Sequence, residues 1–190
     1  MVTAPRHSQP PARGFPPICD PRARVLILGS LPGRKSIEMG QYYAQAQNGF
    51  WKIMDALFGA GPSLAYGVRL KRLIAQRVAV WDVLAAGARS GSLDSAIVTS
   101  SIVINDFQTF FQRQRAVRLI CFNGAKAAEL YRRRVLPALE PELAALDTRV
   151  LPSTSPANAS ISFDAKLAAW SSALSIPVSE RADAGQSLES

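Results

Sequence analysis

Short apolar runs and amphipathic segments take turns along this chain, and that alternation narrows its possible folds more than any other feature. Residues 24–28 (RVLIL), 77–81 (RVAVW), 118–122 (RLICF) and 148–151 read as strands. Residues 48–58, 64–76, 105–114, 124–136 and 162–174 read as helices. In the first of these, Phe50, Ile53, Met54 and Leu57 share a face and Gly59 is the stop; the second, interrupted by Gly67, has a weaker pattern. Phe107, Phe110 and Phe111 share a face behind a cap at Asn105 or Asp106, and Ser162 caps the last helix. Strands separated by helices pair in parallel through right-handed crossovers. The expected fold is a three-layer α/β/α sandwich around a mainly parallel, four-stranded sheet. The 190 residues suit one domain at 22–176, with residues 1–21 and 177–190 as flexible tails.

Residue usage removes several function classes. Cys19 and Cys121 are the two cysteines and His7 is the one histidine. A disulfide framework, a four-cysteine iron–sulfur cluster and a zinc site of Cys and His are excluded. A histidine-based triad would need the tail to fold back. No apolar run approaches the length of a membrane span, and the N-terminus lacks the apolar core of a secretory signal. The expectation is a soluble, cytoplasmic monomer at the bacterial nucleoid. The net charge is +8, with the basic excess in residues 1–134 and a net negative charge in residues 135–190. A basic body fits a polyanionic partner, most simply nucleic acid; a solubilising surface explains the charge equally well.

In parallel sheets of this kind ligands bind beyond the carboxyl ends of the strands. Gly29-Ser30-Leu31-Pro32-Gly33 follows the first strand, Asp82 the second and Asn123-Gly124 the third. Residues 152–158 (PSTSPAN) follow the fourth. Small, polar and turn-forming residues after all four strands mark that end of the sheet as the site.

Each motif has a functional and a plain reading. GSLPGRKS (residues 29–36) nearly matches a phosphate loop, but Arg34 stands where the second glycine belongs and Pro32 removes a donor. Residues 42–51 (YYAQAQNGFW) form the densest polar–aromatic cluster. Phe50 and Trp51 open a helix and read as core. Tyr42 and Tyr43 precede it in a loop, and Tyr43 is the better candidate for a stacking platform. An amide at Asn123 can donate and accept at once, which suits a base edge, but also suits a helix cap. Asp82 reads as a pocket or a turn residue, and Cys121 as core. The hydroxyls of Ser153, Thr154 and Ser155 suit phosphate contacts, although a strand-to-helix connection of this length is ordinary.

Taken together, GSLPG, YYAQAQNGFWKIM, WDVL with ARSGSLDSAI, CFNGAK and LPSTSPANAS resemble the uracil-DNA glycosylase superfamily, especially its hypoxanthine (deoxyinosine) DNA glycosylase branch. The resemblance spans residues 24–172 and implies that superfamily's fold. It places Ser30, Leu31, Tyr43, Asp82 and Asn123 around an extruded base, with Tyr43 as the stacking aromatic. It assigns Gly33, Lys35, Ser153, Thr154, Ser155, Pro156, Ala157 and Asn158 to DNA contacts. The superfamily's first motif usually carries an Asn or Asp that positions water, and Leu31 stands there instead. The role then passes to Asn48, whose plain reading is a helix cap. The His-Pro pair of many relatives is Gln45-Ala46 here, and the usual histidine of the second motif is absent.

The implied reaction is hydrolysis of the N-glycosidic bond of a deaminated base, uracil or hypoxanthine, in DNA, leaving an abasic site. No metal or organic cofactor is implied. A Schiff base on Lys35 is a remote lyase variant. The rival from another class is a non-catalytic or weakly catalytic binder of uracil-containing or abasic DNA, which Leu31 and the missing histidine keep open.

Overall fold

The computed structural model describes residues 11–88 and 98–175. Its central sheet holds β2 (Val25–Gly29), β3 (Val78–Asp82), β6 (Leu119–Asn123) and β7 (Asp147–Leu151), all parallel, in the order β3-β2-β6-β7. A second, antiparallel sheet of β1 (Ala12–Arg13), β4 (Leu84–Gly87) and β5 (Val103–Ile104) has the order β1-β4-β5. Seven α-helices are described: α1 (Arg34–Met39), α2 (Phe50–Phe58), α3 (Tyr66–Ala75), α4 (Phe107–Arg113), α5 (Ala125–Arg134), α6 (Pro141–Ala144) and α7 (Phe163–Leu174).

The three layers follow from the strand alternation of side chains. Leu26, Leu28, Ala79, Trp81, Ile120 and Phe122 point to one face and pack with α4 and α5. Val25, Ile27, Val78, Val80 and Cys121 point to the other and pack with α2, α3 and α7. Covered on both faces, β2, β3 and β6 need continuous apolar runs, which is what the sequence shows, whereas β7 at the edge of the sheet is exposed from Asp147 to Val150. Burial pushes the Cys121 thiol up to about 12, so it behaves as a small core residue. Asp106 caps α4 by accepting from the Thr109 amide, and Ser162 caps α7 by accepting from the Ala165 amide, as expected. Gly67 falls in the first turn of α3 and interrupts nothing.

Several expectations need correction. Residues 11–21, expected as flexible tail, lie against the sheet: Ile18 bridges Val80, and Ala12 and Arg13 pair with Gly87 and Ala86. Tyr42 does lie in a turn before α2, as expected, but it is buried there, and its hydroxyl donates to the Phe15 and Pro16 carbonyls. Asp82 and Asn123 are the last residues of their strands rather than the first beyond them. The remaining tail segments 1–10 and 177–190, and most of ARSGSLDSAI, lie outside the described residues.

Three indole N–H groups are spent on carbonyls of neighbouring segments: Trp51 on Tyr42 at 2.9 Å, Trp81 on Phe15 at 3.1 Å and Trp170 on Pro152 at 3.0 Å. Buried tryptophans need such partners. Among the described residues no helix is long and apolar enough to cross a membrane.

Candidate active site

From β2 the chain crosses to β3 on one side, whereas from β6 it crosses to β7 on the other. Between β2 and β6 the connections diverge, and a crevice opens at their carboxyl ends. There the structure has a cleft of about 440 Å³. It is lined by Ser30, Leu31, Gly33, Lys35, Tyr43, Asn48, Asp82, Asn123 and Ser153, Thr154, Ser155, Pro156, Ala157 and Asn158. Every residue that the resemblance assigns to the base, the water or the DNA is therefore brought to one place. Gln45, Ser36, Pro32 and Arg34 line it too.

The floor is Gly29 and Asp82, paired across β2 and β3. Asp82 is only 3% exposed. A Cβ on Gly29 would collide with the Asp82 carboxylate and stand 3.1 Å from the Tyr43 hydroxyl. Both polar groups thus converge over a backbone that must lack a side chain. The Asp82 carbonyl accepts from Asn105 Nδ2 at 2.8 Å, which ties the strand end to the approach to α4.

Tyr43 has φ of 54°, a left-handed conformation rare for a residue with a side chain. Such strain costs roughly 1–3 kcal/mol and persists where the surroundings enforce it. Here its ring stacks on Phe50, centroids 3.9 Å apart and planes 20° apart. Phe50 in turn meets Trp170 edge-on at 6.1 Å. The aromatic file fixes Tyr43 from behind, each contact adding about 0.5–1.5 kcal/mol beyond burial.

Asn48 Oδ1 accepts from the Phe50 amide at 3.0 Å, so the amide group serves the start of α2. That bond fixes its orientation and leaves Nδ2 as donor and a second lone pair on Oδ1. Asn123 is 9% exposed and doubly bonded to Thr154: its Nδ2 donates to the Thr154 hydroxyl and its Oδ1 accepts from the Thr154 amide. One Nδ2 hydrogen is left over for a ligand.

At the mouth, α1 carries Arg34 and Lys35, both paired with Glu38. Arg34, then Lys35, holds the Glu38 carboxyl below its usual range. This short helix was not anticipated from the sequence. Opposite it, residues 152–158 form the second wall, held at Pro152 by Trp170, at Thr154 by Asn123 and the Gly49 amide, and at Asn158 by Lys166. Trp170 and Lys166 were read only as members of a helix; nothing local in the sequence marks a side chain whose acceptor is a distant carbonyl.

Comparisons with known proteins agree with this geometry. Residues 16–174 match the model of the uracil DNA glycosylase superfamily. The chain is 42% identical over 149 residues to a hypoxanthine DNA glycosylase of Methanosarcina acetivorans, covering 77% of this chain and 87% of that one. It is 37% identical over 149 residues, with the same shares covered, to a hypoxanthine DNA glycosylase of Methanosarcina barkeri. The solution NMR structure of a Methanosarcina acetivorans protein classed as a uracil DNA glycosylase superposes with a TM-score of 0.71 at 38% identity, covering 86% of this chain and 96% of that one. A four-stranded parallel sheet between helical layers, a cleft at its switch point and a family match over most of the chain lead to one assignment: this chain belongs to the uracil DNA glycosylase superfamily.

Proposed function

We propose that the chain hydrolyses the N-glycosidic bond of hypoxanthine, and of related deaminated bases such as uracil, in DNA. The observation that carries this reading is the convergence of Tyr43, Asn48, Asp82 and Asn123 on one cleft, walled by two loops that suit a DNA backbone.

A base inside a duplex is out of reach of such a cleft. It must leave the stack, at a cost of a few kcal/mol. Loop amides and hydroxyls of residues 152–158, with the cations of α1, bind phosphates and offset that cost. Tyr43, backed by Phe50, offers a ring to the extruded base. The spare Nδ2 hydrogen of Asn123 donates to a base carbonyl oxygen, O6 of hypoxanthine or O4 of uracil. Negative charge gathers on the base as the glycosidic bond stretches, so a donor held there helps most in the transition state. The sugar becomes cationic and needs a placed water more than a strong nucleophile. Asn48 orients that water with Nδ2 and the second lone pair of Oδ1. Leu31, buried at 5% exposure, closes the apolar side of the pocket. The chain acts as a monomer on chromosomal DNA.

Single-turnover excision from oligonucleotides carrying hypoxanthine or uracil tests the reading, with affinity followed across a salt series. Excision of hypoxanthine, with binding that weakens steeply as salt rises, is expected. Tight binding of abasic-site DNA with no excision of either base overturns it in favour of a non-catalytic binder.

A further inference from the structure

Lys166 is the one buried lysine among the described residues: it is 8% exposed, and its Nζ donates to the Asn158 carbonyl at 2.7 Å. It stands one helical turn before Trp170 on α7, and the indole N–H of Trp170 donates to the Pro152 carbonyl at 3.0 Å. Residues four apart on a helix share a face. One face of α7 therefore grips the loop of residues 152–158 at both ends. The middle is gripped from β6 through Asn123 and Thr154. Within the last turn of the loop, the Asn158 amide donates to the Ser155 carbonyl, and Asn158 Nδ2 donates to the Ser153 carbonyl.

A buried ammonium is costly unless it is hydrogen-bonded, and the bond that offsets the cost here is the one to Asn158. From this geometry we propose that Lys166 is a positioning residue: it holds Asn158, and with it Pro156 and Ala157, in the shape in which the loop meets the duplex. The proposal rests on the glycosylase reading. A loop ordered in advance does not consume binding energy in becoming ordered, so more remains to pull the base from its pair. The benefit is largest where the base is well paired and smallest where it faces nothing.

Two measurements on Lys166→Met, which keeps the apolar stem and removes the ammonium, test this. The first is hydrogen exchange of the unbound protein. The Ala157 and Asn158 amides are expected to exchange at least about tenfold faster, while the Thr154 amide, held by Asn123, keeps its protection. Unchanged exchange at Ala157 and Asn158, or an equal rise at Thr154 and in the sheet, overturns the proposal. The second is single-turnover excision of hypoxanthine facing cytosine, and of hypoxanthine facing an abasic-site analogue, in the same duplex. Excision opposite cytosine is expected to fall at least about tenfold more than excision opposite the abasic site. Equal losses on both substrates overturn the proposal. Lys166→Gln, with a shorter neutral donor, is expected to fall between the two and serves where the methionine variant does not fold. If the wild-type protein excises from neither substrate, the glycosylase reading has failed, and the exchange measurement alone decides whether Lys166 sets the loop.

Discussion

Asn123 and Thr154 hold each other by two hydrogen bonds, Nδ2 to the hydroxyl at 2.9 Å and the Thr154 amide to Oδ1 at 2.8 Å. The pairing does two things at once. It pins the second loop to the end of β6, and it determines which way the Asn123 amide faces, since Oδ1 must meet an N–H. The remaining amide hydrogen is thereby aimed by the protein's own bonds.

Asn123→Ala is expected to change the ratio of hypoxanthine to uracil excision, because the two bases offer different edges to the lost donor. Thr154→Val leaves the backbone N–H on Asn123 Oδ1 but removes the hydroxyl that accepts from Nδ2, so the amide keeps its facing and loses one of its two anchors, and the variant is expected to lower both activities alike. Single-turnover rates of both variants on both substrates check this. An unchanged ratio in Asn123→Ala would leave Asn123 with the loop alone.

Tyr43→Ala is expected to lower excision well beyond Tyr43→Phe. The ring face supplies stacking of about 1–3 kcal/mol, or roughly five- to 150-fold in rate, and phenylalanine retains it. The same ring stacks on Phe50. Rates are therefore read beside melting temperatures, and an equal effect of the two substitutions counts against the stacking role.

Asn48 has a structural contact, and the proposed mechanism gives it a chemical task as well. Its bond to the Phe50 amide satisfies the first N–H of α2 from the residue before the cap Gly49, and Asn48→Ala is expected to lower stability by about 1 kcal/mol. Asn48→Ser keeps a capping oxygen. The serine variant is expected to melt near the wild-type temperature yet lose roughly 10²–10³-fold in single-turnover rate, as when one well-placed donor is deleted from an active site. Full activity in the serine variant removes Asn48 from the mechanism.

Gly29→Ala forces a methyl group onto the Asp82 carboxylate and the Tyr43 hydroxyl. It is expected to abolish excision while the sheet survives, since the displaced groups lie at the cleft and not in the core. Activity together with circular dichroism tests this, and an active alanine variant would mean that the convergence over Gly29 is incidental.

Most of the central sheet was legible because strands covered on both faces must be apolar along their whole length, and the runs of β2, β3 and β6 stood out for that reason, whereas β7 is an exposed edge strand with polar residues. The cleft was legible because polar residues at the ends of all four strands had to share one edge of the sheet. The segment around Ile18 was not. It attaches through main-chain bonds, Ile18 with Val80 and Gly14 with Ala85, which impose no side-chain period. The helix at Arg34–Met39 is too short to show one either. Lys166 reads as a solvent-facing lysine in any helical pattern, because its acceptor is a carbonyl of another segment. The burial of Tyr42 was not legible either. It sits beside Tyr43 in a polar stretch, and its ring is covered by Phe15 of the N-terminal segment, which the sequence does not place there.

The three indole bonds make the protein its own optical reporter. Trp51 holds the segment that delivers Tyr43, Trp170 holds the start of the loop opposite, and Trp81 holds the N-terminal segment. These are all the tryptophans the chain has. Indole emission responds to the polarity and hydrogen bonding of its surroundings. If the cleft walls engage DNA as proposed, the intrinsic fluorescence is expected to respond, and motions of the two walls are separable by removing one chromophore at a time, with no label attached.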